Sequence, residues 1–116
     1  MDIRLKRAYE PPARGDGARI LVDRLWPRGV KKEALALDLW LKDIAPSPEL
    51  RKWFDHRAER FGEFRLRYHK ELAANPAAVA ELEAYLGKGR TTLVYGTRDP
   101  EKNSAAVLRD WLLQRH

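Results

Sequence analysis

The sequence predicts a small α/β domain, a short and mostly parallel sheet of about three strands packed with about five helices. Three observations point there. The run Ile20-Leu21-Val22 has the character of a strand buried on both faces, and Thr91-Thr92-Leu93-Val94-Tyr95, entered directly from the Gly87 and Gly89 pair, reads as another strand. Between them, from Ser47 to Leu86, apolar residues recur at helical spacing, and strands joined by a helical crossover are normally parallel. The 116 residues suit one domain with an ordinary core, so residues 1–116 are read as a single unit.

The elements follow in order. Ile3 to Tyr9 alternates loosely and reads as a short strand. Glu10 to Ala18 is dense in Pro and Gly and forms a loop. That loop is shorter than the dozen or so residues of a usual parallel crossover, so the first strand's direction stays open. Arg19 to Leu25 is the second strand, broken by Trp26-Pro27-Arg28-Gly29. In residues 31–45, Leu35, Leu37, Leu39 and Leu41 alternate like a strand, while Leu37, Trp40, Leu41 and Ile44 fit a helix face; periodicity does not separate the two.

Ser47-Pro48-Glu49 supplies a cap, a first-turn proline and an early acid, which start a helix carrying Leu50, Trp53 and Phe54 as far as Asp55-His56. A second helix over about Ala58 to Ala74 puts Phe61, Phe64, Tyr68 and Leu72 on one stripe. Asn75-Pro76 restarts the pattern with Val79, Leu82 and Leu86, and Gly87 and Gly89 end it. After the Thr91–Tyr95 strand and a turn, Asn103 caps a last helix that buries Val107, Leu108, Trp111 and Leu112.

Composition narrows the chemistry. There is no cysteine, which excludes disulfides, thiolate metal sites and thiol nucleophiles. The opening residues hold no signal-peptide core, and no window approaches the ~18 apolar residues of a membrane helix, so a cytoplasmic chain with no membrane partner is expected. The net charge of +6, from 23 Lys+Arg against 17 Asp+Glu, favours anionic partners, although interleaved charges of both signs also simply solvate helices. No Walker A, GxGxxG, HExxH or GxSxG pattern occurs, and no His/carboxylate cluster has metal-ligand spacing; no cofactor and no metal are expected.

If the second and third strands are parallel, their carboxyl ends open on one edge, where open α/β sheets bind ligands. Arg24 and Arg28 flank a Pro/Gly turn there and offer forked donors for a phosphate or carboxylate; the alternative for Arg24 is a pair with Asp23 or Asp43. Trp26 offers a flat face for a ring, or covers the core. Arg51 and Lys42 would assist, or be solvated. Asn103 and the N–H groups opening the last helix add a positive dipole end. Asp23, His56 and Tyr95 are the candidate proton-transfer groups, His56 alternatively serving as a helix-end cation.

The strings Lys6-Arg7-Ala8-Tyr9-Glu10-Pro11-Pro12, Gly17 through Gly29, Leu39-Trp40-Leu41-Lys42-Asp43-Ile44-Ala45-Pro46-Ser47, Leu50-Arg51-Lys52-Trp53-Phe54 and Leu93-Val94-Tyr95, with Asp99, Asn103 and Ala105, resemble the YeaO-like proteins. These form a family catalogued as domain of unknown function number 488, and the resemblance runs almost the length of the chain. It implies a small bacterial α/β domain and carries no established activity. In the wider family the third strand leads into a cysteine-bearing segment and a Cys-His-Arg-like motif. Here Tyr95-Gly96 and Asn103-Ser104-Ala105 stand in those places. The wider family also carries a helix between its first two strands, where this chain has only the Glu10–Ala18 loop.

Function is therefore read as binding of a small anionic ligand at the strand ends, with any enzymatic activity and the oligomeric state left open. The alternatives are a non-specific nucleic-acid binder and a protein-interaction module without a ligand. Glu59, Glu63 and Glu71 among Arg60, Arg65, Arg67 and Lys70 speak against a nucleic-acid face.

Overall fold

The most completely buried strand takes one of the two interior positions of the sheet. In the computed structural model, which describes residues 1–116, all five residues of Thr91–Tyr95 are buried. This strand, β4, lies between β1 (Ile3–Arg7) and β2 (Ala18–Leu21), with β3 (Leu39–Trp40) outside β2, in the order β1-β4-β2-β3. Every pairing is parallel. β1 runs in register with β4 from Ile3↔Thr91 to Arg7↔Tyr95, which settles its direction.

The sheet thus has four strands rather than about three. The additional strand comes from the segment whose periodicity was ambiguous, because that segment holds both kinds of structure. A single-turn helix α1 (Lys32–Leu35) precedes β3, and a 3-10 turn (Lys42–Ile44) follows it. Two residues of strand are too few to set a pattern. β3 is positioned by its ladder to Ile20 and Leu21.

The remaining helices are α2 (Pro48–Phe54), α3 (Phe61–Ala73), α4 (Pro76–Leu86) and α5 (Ser104–Arg115). Their stripes meet Ile20, Val22, Leu93 and Tyr95 on one face of the sheet and form the main core, with Phe64, Tyr68, Leu82 and Leu108 almost fully buried. Ser47 caps α2 by accepting the Leu50 N–H, and Asn103 caps α5 by accepting the Ala106 N–H. No helix is long and apolar enough to cross a membrane.

The second face is covered differently. Ala8, Leu21 and Val94 meet Leu35 of the one-turn helix, with Trp26, Val30 and Leu37 from irregular chain and Trp40 from β3 around them. Here the β1–β2 crossover is a loop with one 3-10 turn (Arg14–Asp16). Asp16 anchors it. Its carboxylate accepts from Lys6 Nζ at 3.0 Å, Arg19 Nη1 at 2.6 Å and the Ala13 N–H at 3.0 Å, while its carbonyl accepts from Thr92 Oγ1. Arg19, 4% exposed, donates its other guanidinium bonds to the Leu35 carbonyl. Burial pushes the Asp16 carboxyl up, but the Ala13 N–H and the two cations outweigh it and hold it below the ordinary carboxylate value. Gly17 follows at φ 66°, and a Cβ there would lie 2.1 Å from the Arg90 carbonyl oxygen, so only glycine lets the loop enter β2.

Asp16→Ala leaves the Arg19 guanidinium buried without its counter-charge, and breaking a buried pair in this way costs about 3–5 kcal/mol. Urea unfolding followed by circular dichroism should show the midpoint falling accordingly. A loss under about 1 kcal/mol would mean that Arg19 re-solvates and the pair is not the anchor.

Candidate functional site

β2 and β4 end side by side, and one carboxylate ties their exits together. Asp23 Oδ2 accepts the Gly96 N–H at 2.8 Å. A Cβ at residue 96 would lie 3.3 Å from that oxygen, so the glycine permits the close approach. The Asp23 carbonyl accepts from Trp40 Nε1 at 2.8 Å, fixing the same turn to β3. Desolvation raises the Asp23 pKa above the ordinary carboxylate value of 3.8, against the opposing effects of the Gly96 N–H and the Arg51 charge.

Above Asp23 lies a cleft of about 500 Å³ built from the ends of β1, β2 and β4, the segment before α2, α2 itself and the start of α5. α3 holds the wall before α2 from behind. Glu71 accepts from the Ser47 N–H and hydroxyl, and the Tyr68 hydroxyl donates to the Ile44 carbonyl at 2.6 Å. Against that wall Arg24 reaches the carbonyls of Ala45 and Pro46 at 3.3 and 3.5 Å, and its Nη1 lies 4.0 Å from Asp43 Oδ1. The Asp43 alternative is thus present only as a long contact.

Arg28 and Arg51 line the cleft together with Lys52 and Lys102, and none of the four forms an ion pair. Trp26 forms part of the same lining. Its Nε1 donates to the Val30 carbonyl at 2.7 Å and its ring meets Trp40 edge-on at 5.3 Å between centroids. Asn103 also lines the cleft, but its side chain is committed to the cap and, through Nδ2, to the Asp99 carbonyl.

His56 stands at the rim in an unusual backbone. Asp55 and His56 are consecutive non-glycine residues at φ 50° and 53°, where a side chain crowds the backbone. A second hollow of about 420 Å³ shares His56, Gly96, Thr97 and Lys102 with the first and adds Arg98.

Two of the residues singled out in the sequence lie elsewhere. Tyr95 sits in the helix-side core at 4% exposure, and burial raises its hydroxyl's pKa. Lys42 holds its ammonium 4.1 Å from the centroid of the Trp40 ring, and it does not line the cleft. Conversely, Lys52, Lys102, Tyr9 and Leu25 line the cleft without having been singled out; Lys52, Lys102 and Leu25 are each next in sequence to one that was, whereas Tyr9 is brought in by the fold from the end of β1. No group of three or more potential metal-ligating side chains converges anywhere.

Comparison with known proteins finds similarity over almost the whole chain. Residues 2–116 match the family model described as the inactive DUF488-N3 subclade. The chain is 47% identical to the uncharacterized protein YeaO of Escherichia coli over 112 residues, covering 97% of each. It is 46% identical to the uncharacterized protein Rv3073c of Mycobacterium tuberculosis over 110 residues, covering 95% of this chain and 92% of the relative. No solved structure matches it significantly.

Two measurements probe the unfavourable features of the site. Because the folded protein holds the Asp23 proton more tightly than the unfolded chain does, the Asp23 contribution is most favourable below 3.8 and declines as pH rises through the raised value. Asp23→Asn keeps an acceptor for the Gly96 N–H and removes that decline. The mutant's stability relative to wild type should therefore grow between pH 3 and neutrality in denaturant titrations, and a constant difference would contradict the raised pKa. His56→Gly releases the left-handed strain and should stabilise the fold by about 1 kcal/mol in the same assay, whereas a loss would show the conformation to be unstrained.

Proposed function

We propose that this chain, which belongs to the inactive DUF488-N3 subclade, binds a small phosphate- or carboxylate-bearing molecule in the cleft at the strand ends and holds it without turnover. One observation carries the reading. Arg28, Arg51, Lys52 and Lys102 line a single concave site and none of them forms an ion pair, beside a half-committed Arg24. Of the two acids that share the cleft, Asp55 is turned to Arg57 at 3.6 Å and Asp23 is engaged by the Gly96 N–H.

Binding rather than catalysis is supported by what occupies the positions where the resemblance places the wider family's thiol chemistry. Tyr95 serves the core, and Asn103 is spent as a helix cap. In this reading Arg24, Arg28 and Arg51 clamp the anion and Lys52 and Lys102 complete the field. The start of α5 adds its positive dipole end. Asp23 and His56 stand beside the ligand, and the protein works in the cytoplasm, among phosphorylated and carboxylated metabolites.

Sulfate, whose charge is constant between pH 5 and 8, is the first probe. Calorimetric titration should give saturable one-to-one binding, weakened by Arg51→Ala by about 1.5–3 kcal/mol, the scale of a charge-assisted hydrogen bond. Asp23→Asn, which removes a negative charge from the lining, should tighten sulfate binding. A folded Arg51→Ala that binds sulfate unchanged overturns the reading. Stabilisation by polynucleotides alone, vanishing with salt, would replace it by a nucleic-acid surface.

A further inference from the structure

We propose that the anion bound in this cleft is carried on a planar ring, so that the ligand class is a ring-bearing phosphate rather than a bare oxyanion or a sugar phosphate; this rests on the anion-binding reading above. The first ground is size. A cleft of about 500 Å³ lies within the roughly 300–1,000 Å³ typical of organic-ligand sites, and an inorganic anion would leave most of it to water.

The second ground is where the molecule leaves apolar surface uncovered. Five large apolar side chains are exposed, namely Met1, Tyr9, Leu25, Leu66 and Leu113, and two of them, Tyr9 at 50% and Leu25 at 62%, line this cleft. They come from the β1 and β2 exits, while Arg51 and Lys52 come from α2. The site therefore offers apolar contact and cationic contact from different elements, as a two-part ligand requires.

The third ground is that the aromatic members are held in place. The Tyr9 hydroxyl donates to the Arg28 carbonyl at 3.0 Å, and the Arg7 guanidinium lies 5.0 Å from the Tyr9 ring centroid while donating to the Thr97 carbonyl at 2.9 Å. Trp26 is fixed by its bond to Val30 and by Trp40. Rings immobilised before binding lose little freedom when a second ring stacks on them. Tyr9 and Leu25 supply the open apolar contact, and Trp26 shares the lining.

Calorimetry with the full chain tests this using inorganic phosphate, ribose 5-phosphate, 1-naphthyl phosphate and adenosine monophosphate. Ring-bearing phosphates should bind about tenfold or more tightly than the first two, the scale of base–aromatic stacking. Leu25→Ser and Tyr9→Ser, both at exposed positions with folding checked by circular dichroism, should shrink the ratio of naphthyl to inorganic phosphate affinity toward one. Arg51→Ala should lower every affinity and leave that ratio in place. Tighter binding of the adenosine compound than of the naphthyl one assigns the ring to a nucleotide, and the reverse assigns it to an aryl phosphate. Equal affinities across the panel, or a ratio unmoved in both serine variants, overturn the ring inference and leave the anion site standing. Absence of binding by all four overturns both.

Discussion

A buried charge pair does for this fold what a helix does in larger parallel sheets. A parallel sheet needs cover on both faces, and here only one face receives long helices. The other is closed by the β1–β2 loop and the chain around α1, whose backbone polar groups need partners once buried. Arg19, projecting from β2, supplies them to the end of α1 through the Leu35 carbonyl, and Asp16 binds Arg19 to Lys6 of β1. The network is worth keeping because its members satisfy one another. A buried pair with free lone pairs would cost more in desolvation than it returns.

Closing that face with a loop rather than a long helix shapes the strand ends above it. The chain leaves β1 through Ala8 and Tyr9 directly beside the exits of β2 and β4, and the Tyr9 hydroxyl reaches the turn after β2. Three rigid ties then define the cleft: Asp23 to Gly96 across the strands, Trp40 to the Asp23 carbonyl, and Glu71 to Ser47 behind the α2 wall. Loops carry the contacts and the scaffold fixes the loops, the usual division of labour in α/β sites.

Much of this was legible in the sequence where the physics is local. β4 is Thr91–Tyr95, as its apolar run indicates, and Ser47 and Asn103 cap their helices because a side-chain oxygen followed by an amphipathic run has few other uses. Asp23, Arg24, Trp26, Arg28, Arg51, His56 and Asn103 share one cleft because a parallel sheet brings its carboxyl ends together. What was illegible depends on distant partners. β3 exists through its neighbour and not through its own two residues. Asp16 looks like any turn aspartate until Arg19 and Lys6 are brought to it. The inward direction of Tyr95 was readable, since it shares the two-residue period of Leu93 and so the same face.

Composition alone spread the surplus positive charge over the whole chain, whereas the folded molecule uses much of it locally. Arg67 pairs with Glu63, Arg115 with Glu83 and Arg90 with Asp2, so these arginines are neutralised where they stand. The cleft departs from that habit in several ways at once. It gathers four cations outside any ion pair, a partly desolvated carboxyl, two consecutive strained residues and two exposed apolar side chains. Each raises the free energy of the unliganded fold. Sequences disfavour such costs wherever only folding is at stake, and their coincidence in one concavity is the basis of the proposal that a ligand offsets them. A bare surface for polynucleotides would need the cations but not the partly buried carboxyl or the apolar wall, which is why the proposal takes a small molecule first.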